Sequence, residues 1–526
     1  MDRMDGHLAH VVGSVHVGPR VTVPTRCMLL LLVLVLLGGC AGTGFSTTGT
    51  TPSVSSPGTV GVSTGTAAGD AGLGGSGAAV TTSLTVSQPP ESSPQIGVNF
   101  IRFFWAQGRE MGGREMGQRR GRADGAVQDF TLPEVVFADF AKLGIQAYRQ
   151  FVMGDLLWDV VEPSDDEWQF ERADAVLMNS SSEPIVTLFS LQYASPNPPW
   201  ATADDVFQKT LGPEARDYLT TVVKRYAPYV RYWELGNEMD HWRAADPGGI
   251  APPGSGAGAQ SLPACLPTDG FTPQEQGAFL AEAAALIREL DPDAVIVMPG
   301  ISGLDTYQLS TWLPAVVQGG GKEWFDIVSY HYYLSWFRFP GARLGLTETL
   351  KDLGVDKPVW LTETGSSSSF TLSQRTNYPN SAESQAADIF RRVLPAYAAG
   401  DDLVLWHTYI GSPDTPDNSW RCYGLRDESG RDSVAYASFQ LLTSELLPVE
   451  RVEVVTAEGL YGLNVYRVTT RAGAVRYVAW GMGTWRVPEG VTEAAGVVAG
   501  AKGSFTWRGV SAGDTLTLSD TPILLR

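Results

Sequence analysis

Glu238 and Glu363 are the residues most able to do chemistry. Each stands at the end of a run that looks too apolar to be surface: Tyr-Trp-Glu-Leu-Gly-Asn-Glu at 232–238 and Trp-Leu-Thr-Glu-Thr at 360–364. Carboxyl groups are costly to bury, so two of them at the ends of core-like segments need a reason. If they meet, both cannot ionise easily. One then keeps its proton near neutral pH and the other stays a carboxylate, which equips a single site with an acid and a base or nucleophile. Asn237 shares the first run, and Arg149, His331, Tyr333 and Trp406 occupy similar places in other apolar runs.

The elements that must position them recur regularly. Strand candidates are 96–105, 145–151, 184–191, 230–238, 294–300, 325–333, 358–364 and 403–410. Amphipathic stretches such as 132–144, 214–228, 275–292 and 384–400 lie between them. Continuous apolar strands alternating with helices predict parallel β/α units. Eight of them predict an α/β fold, a (β/α)8 TIM barrel over 94–445. An open doubly wound sheet is the competing architecture, but no Gly-rich phosphate fingerprint follows the first strand. Barrel sites form at the C-terminal strand ends, where Arg149 (strand 2), Asn237 and Glu238 (strand 4), His331 and Tyr333 (strand 6), Glu363 (strand 7) and Trp406 with His407 (strand 8) all fall. Arg149 to Glu238 is 89 residues and Glu238 to His331 is 93, each about two β/α units. From 446 to 526 short alternating runs separated by turn signals predict a C-terminal antiparallel β-sandwich, with 434–446 as a last helix before it.

The chain has 526 residues, a formal charge of -19 and a pI near 4.8, which argues against a nucleic-acid partner. Residues 28–37 are ten apolar positions after Arg20 and Arg26, too short for a bilayer span of about 20 and of the order expected for an export signal. Leu-Gly-Gly-Cys at 37–40 resembles a bacterial lipobox. That resemblance implies 1–40 as leader, Cys40 as the acylated first residue, and membrane contact through that lipid alone. Residues 41–93 are Gly, Ser, Thr and Ala with scattered Pro, a flexible linker, though 80–90 is β-prone enough to add an edge strand. The expected location is a bacterial cell surface or its exterior. Cys265 and Cys422 are the cysteines of the body; they either pair or remain two thiols, and no spacing suggests zinc.

Trp-Glu-Leu-Gly-Asn-Glu and Trp-Leu-Thr-Glu-Thr-Gly resemble the strand-4 and strand-7 motifs of clan A glycoside hydrolases. The stretch 155–177 is similar to the segment after strand 2 in families 5 and 39, the C-terminal part resembles the accessory domain of family 39, and the two motifs are similar to those of families 51 and 79 as well. The resemblance covers roughly 95–526. It implies Glu238 as acid/base and Glu363 as nucleophile of a retaining β-glycosidase, with Arg149 and Tyr333 supporting Glu363. Asn237 would hold the sugar 2-hydroxyl, Trp406 would form the floor under the sugar, and His331 would orient its neighbours. A poly- or oligosaccharide substrate and no metal or organic cofactor are implied. A transglycosylase uses the same residues, and a non-catalytic carbohydrate binder on a decayed barrel is the rival from another class. Glu234 reads as a structural carboxylate, and Glu348, in a second Leu-Thr-Glu-Thr, as an exposed helix residue. The inserts 107–125 and 243–270 read as loops, the latter able to close one end of a groove.

Overall fold

The computed structural model describes residues 93–100, 110–111, 114–115, 132–150, 156–189, 200–201, 210–241, 271–369, 381–411, 421–427, 430–500 and 503–526. Cys40, the 28–37 run, the 41–92 part of the linker, Cys265 and the insert 243–270 lie outside them. Of the insert 107–125, Glu110–Met111 and Arg114–Glu115 pair as a short antiparallel hairpin.

Eight parallel strands form one sheet: β1 (Ile96–Asn99), β2 (Ala147–Gln150), β3 (Glu183–Leu188), β4 (Tyr232–Leu235), β5 (Val295–Val297), β6 (Val328–Tyr332), β7 (Val359–Thr364) and β8 (Leu403–His407). Their spatial order is β5-β4-β3-β2-β1-β8-β7-β6. The two ends meet, because Val297 bridges Ile327, Ile301 bridges Tyr330, and His331 N donates to Ile301 O at 2.7 Å. The sheet is therefore a nearly closed barrel rather than an open doubly wound sheet. After each strand comes a helix: α1 (Pro133–Leu143), α2 (Glu171–Leu177), α3 (Pro213–Tyr226), α4 (Pro273–Leu290), α5 (Leu313–Gly320), α6 (Phe339–Asp352), α7 (Ala382–Ala398) and α8 (Val434–Leu446). Local sequence sets their limits. Pro133 opens α1 at a position with no intrahelical donor to lose, and Gly144 ends it at φ 67°. Thr272 and Glu275 form a reciprocal capping box at the start of α4.

Strand alternation divides the side chains into two cores. Outward-facing Val98, Tyr148, Trp233, Ile296, Leu361 and Trp406 pack beneath the helices. Inside the barrel Ala147, Ile185, Tyr232, Val297, Ile327, Trp360, Leu403 and Leu405 fill a small apolar layer. Gly97 belongs to that crowded interior: a Cβ there would lie 2.1 Å from Ala147 O and 2.6 Å from a Leu405 methyl.

The C-terminal strands are β9 (Val449–Ala457), β10 (Asn464–Thr470), β11 (Val475–Trp480), β12 (Gly483–Arg486), β13 (Glu493–Gly496), β14 (Arg508–Gly509), β15 (Thr515–Leu518) and β16 (Ile523–Leu525). They form a six-stranded antiparallel sheet, β9-β10-β11-β16-β13-β14, and a two-stranded ribbon, β12-β15. Leu516 and Leu518 of the ribbon pack with Val465, Ala479 and Leu525 of the sheet. The other face of the sheet joins the main core through Val449, Tyr466, Val468, Val478, Trp480 and Leu524. Gln95 stitches it to the start of β1, donating to Val449 O and accepting from Val449 N, both at 2.8 Å.

Removing residues 447–526 would strip one wall from that shared core. The truncated chain is expected to lose cooperative thermal unfolding and to aggregate; a soluble truncated chain with a single sharp transition by circular dichroism would show instead that the sheet is separable.

Candidate active site

The end of β4 is shaped by two left-handed residues. After Leu235 the chain passes through Gly236 at φ 99°, then Asn237, then Glu238 at φ 47°. Glycine tolerates the first at no steric cost, whereas a left-handed glutamate is strained and persists only where its surroundings over-determine it. Glu238 N donates to Gly300 O at 3.0 Å and Asn237 bridges Gly300, so the end of β5 holds the kink. The run is buried strand as far as Leu235, and the turn then lifts Glu238 to the mouth, its side chain 15% exposed.

Glu363 reaches the interior through a bulge. Tyr330 pairs with Leu361 but His331 pairs with Glu363; on the other side Val404 pairs with Leu361 and Trp406 with Thr364. One extra residue in β7 breaks the alternation that starts from inward-facing Trp360. Thr364 accordingly turns outward, donating to Tyr332 O and lying 3.4 Å from Arg392 Nη1 of α7, while Glu363 turns in.

Arg149, fully buried, ties these ends together. Its Nε donates to Glu234 Oε2 at 2.6 Å, Nη1 to Glu363 Oε1 at 2.7 Å and Asn99 Oδ1 at 3.2 Å, and Nη2 to Asn237 Oδ1 at 2.6 Å. Burial disfavours its charge, but Glu234 and Glu363 outweigh this and hold its pKa above the usual guanidinium value. Tyr333 OH donates to the second Glu363 oxygen at 2.6 Å. Burial and the charge of Glu363 keep that phenol well above its ordinary range, so it remains a donor.

His331 sits between the carboxyl groups, Nδ1 at 2.8 Å from Glu238 Oε1 and 3.7 Å from Glu363 Oε2. Its ring edge presses on backbone: a Cβ at Gly300 would lie 2.1 Å from Nε2. Burial pushes the His331 pKa down to about 4, so near neutrality it is an uncharged imidazole whose Nδ1 shares a hydrogen bond with Glu238. One atom each of Glu238, His331 and Glu363 lie within 4.8 Å of one another. Such a trio can also ligate a metal, but here both Glu363 oxygens already accept from donors and one of those donors is a guanidinium, which repels a second cation.

Six of the seven sequence-predicted side chains therefore converge: Arg149, Asn237, Glu238, His331, Tyr333 and Glu363. Trp406 does not, and its reading as the floor of a sugar site is corrected. It is 0% exposed and lies with the outward-facing core, because Leu403 and Leu405 take the inward positions of β8. The inward residue at this height is His407, whose Nδ1 is 4.0 Å from Glu363 Oε2 and whose ring meets Tyr333 edge-on at 6.0 Å. His407 was placed at this strand end without a role; Asn99 and Tyr423 are members that motif reading missed. Asn99 donates to Thr362 O at 2.8 Å across the bulge, and Tyr423 packs edge-on against Tyr333. The signal for Asn99 and His407 is register: Asn99 aligns with both Arg149 and His407 on its neighbours. Glu234 is buried as expected, and Glu348 is exposed on α6. Asp240 accepts from Ser302 N and Gln308 Nε2, bracing the segment after β5. Cys422 is half-buried next to Tyr423; Cys265, with which it either pairs or remains one of two thiols, lies outside the described residues.

No family model matches the chain. Solved structures do resemble it. A family 39 glycoside hydrolase from the gut symbiont Bacteroides cellulosilyticus WH2 superposes with TM-score 0.55 at 18% identity, over 84% of this chain and 82% of that one. An α-L-arabinofuranosidase from Thermotoga maritima gives 0.53 at 13% identity, over 84% and 97%. A glucosidase from Croceicoccus marinus gives 0.52 at 12% identity, over 82% and 94%. At these identities the likeness is one of fold.

The buried histidines make an acid-side prediction. Burial pushes His407 down to about 3 and His331 to about 4, against 6.5 in the unfolded chain. Between those values the unfolded state binds protons that the folded state refuses, so this contribution is complete above pH 6.5 and is lost as pH falls towards 4. Each histidine costs the fold on the order of 3 kcal/mol over that window. Melting temperature is expected to fall from pH 7 to 4.5, and His407→Gln to flatten the fall; an unchanged slope in that variant would contradict the assignment.

Proposed function

We propose that the protein is a retaining glycoside hydrolase that cleaves β-glycosidic bonds of a poly- or oligosaccharide. One observation carries the reading: a carboxylate oxygen of Glu238 and one of Glu363 lie within 4.8 Å, across the barrel mouth. Double displacement needs its two carboxyl groups about 5–5.5 Å apart, whereas inversion needs roughly 6.5–9.5 Å to seat a water. The environments divide the roles. Glu363, with the Arg149 guanidinium on one oxygen and the Tyr333 hydroxyl on the other, is fixed in place and aimed, which suits the nucleophile. Glu238 pairs with the neutral His331 and is the more exposed of the two carboxyl groups, which suits a group that must reach leaving oxygen and water.

Glu363 attacks the anomeric carbon as Glu238 gives its proton to the departing glycosidic oxygen, leaving a glycosyl ester on Glu363. Glu238, now a carboxylate, takes a proton from water; the water oxygen attacks the same carbon, and Glu363 leaves as carboxylate. Asn237, its Oδ1 fixed by Arg149, presents the donor end of its amide to the sugar 2-hydroxyl. The reaction needs no metal or organic cofactor. The leader, the lipobox Cys40 and the linker favour an enzyme tethered outside a bacterial cell, working on external carbohydrate.

On a panel of aryl β-glycosides, Glu363→Gln is expected to abolish turnover. Glu238→Ala should slow poor leaving groups by roughly 10²–10⁴, spare dinitrophenyl glycosides, and yield a β-glycosyl azide when azide is added. EDTA should change nothing. Wild-type turnover by Glu363→Gln, or an inverted anomer as the first product by NMR, would overturn the reading.

A further inference from the structure

Glu234 lies four residues before Glu238, inside the barrel and 0% exposed. Its Oε2 accepts from Arg149 Nε at 2.6 Å and from Thr187 Oγ1 of β3, and its Oε1 is 3.4 Å from Ser329 Oγ of β6. Arg149 thus has its single charge placed between two carboxylates, Glu234 below and Glu363 above. With its Nε held from below, the planar guanidinium has only one rotation available. That rotation points Nη1 at Glu363 and Nη2 at Asn237. A bidentate fork carries this kind of directional information, which a point charge would not.

The charges around it also matter. Arg149 lies on β2, Glu238 and Asp240 follow β4, His331 lies on β6 with Tyr333 just beyond it, Glu363 lies on β7 and His407 on β8; Tyr232 lies beneath on β4. His331 and His407 are uncharged near neutrality and the tyrosines are phenols. Asp240 is engaged by Ser302 and Gln308 at the rim. Among these described groups Arg149 is the cation, and Glu234 is the carboxylate that holds it from below.

We propose that Glu234 is a positioning residue for the reaction: it holds Arg149 Nε from below and so fixes the guanidinium in the one rotation that aims Nη1 at Glu363 and Nη2 at Asn237. The inference rests on the glycosidase reading above, and it gives a functional reason for a carboxylate that packing alone would not select.

The test is kcat and KM measured separately on an aryl β-glycoside. Glu234→Gln keeps the shape and an oxygen for Arg149 Nε but weakens the ion pair that holds the guanidinium; kcat is expected to fall by roughly 10²-fold, the cost of misaiming a supporting group, while KM holds within about twofold. Glu234→Asp keeps the charge and shortens the reach to Arg149; it should also lose kcat with KM held. A folded Glu234→Gln variant with wild-type kcat, or one whose loss lies in KM alone, would overturn the proposal. If that variant does not fold, wild-type kcat in Glu234→Asp, or a loss confined to KM, would overturn it equally. A wild-type enzyme inactive on the panel would instead defeat the glycosidase reading, so the two failures are distinguishable.

Discussion

One fully buried guanidinium organises this barrel. Arg149 takes hydrogen bonds to groups on or just beyond β1, β4 and β7 from its own place on β2, so four separate parts of the sheet are fixed to one rigid plane. Burying an unpaired guanidinium would be prohibitive, and removing a partner from a buried pair is strongly destabilising. The residues that answer Arg149 are therefore constrained together. Glu363 must turn inward, which requires the bulge in β7; Asn237 must face the guanidinium, which requires the left-handed turn after β4. The same constraint that satisfies one charge brings the two carboxyl groups face to face.

The polar layer rests on an apolar one. Ala147, Tyr232, Trp360 and Leu405 close the barrel beneath it, excluding water from below and strengthening every charge interaction above. Support also comes from the side. Arg392 Nη1 donates to Tyr332 O at 3.3 Å, next to Tyr333. Trp336, beyond Tyr333, meets Trp480 of the C-terminal sheet edge-on at 5.8 Å, and Arg391 lies over the Trp336 ring while donating to Asp520 O. The C-terminal sheet thus buttresses the loop that follows Tyr333.

Much of this was legible in the chain. The strand runs were readable because parallel strands buried on both faces are continuous in apolar residues, and the helices because their periodicity and caps agree; α8 spans 434–446 as read. The converging polar residues were readable because their types are expensive to bury and they recur at the repeat. What failed was facing. Trp406 and His407 are adjacent, and nothing in Leu-Val-Leu-Trp-His says which one points inward; the apolar residues on both sides look alike until pairing fixes the phase. The bulge in β7 was invisible for the same reason, since it exists only relative to β6 and β8. Asn99 sits in a run of ordinary appearance, and its role appears only when β1 is laid between β2 and β8. Glu234 was recognisable as a structural carboxylate, but its partner 85 residues away was not.

The claim at the centre is that Glu363 becomes covalently attached to sugar. Incubation with a 2-deoxy-2-fluoro glycoside bearing a dinitrophenyl leaving group, followed by intact-mass and peptide mass spectrometry, tests it most directly. The account predicts a mass gain of one fluoroglycosyl unit, located on the peptide that carries Glu363. A label on Glu238 or elsewhere, or release of dinitrophenol turnover after turnover with no adduct ever formed, would contradict it.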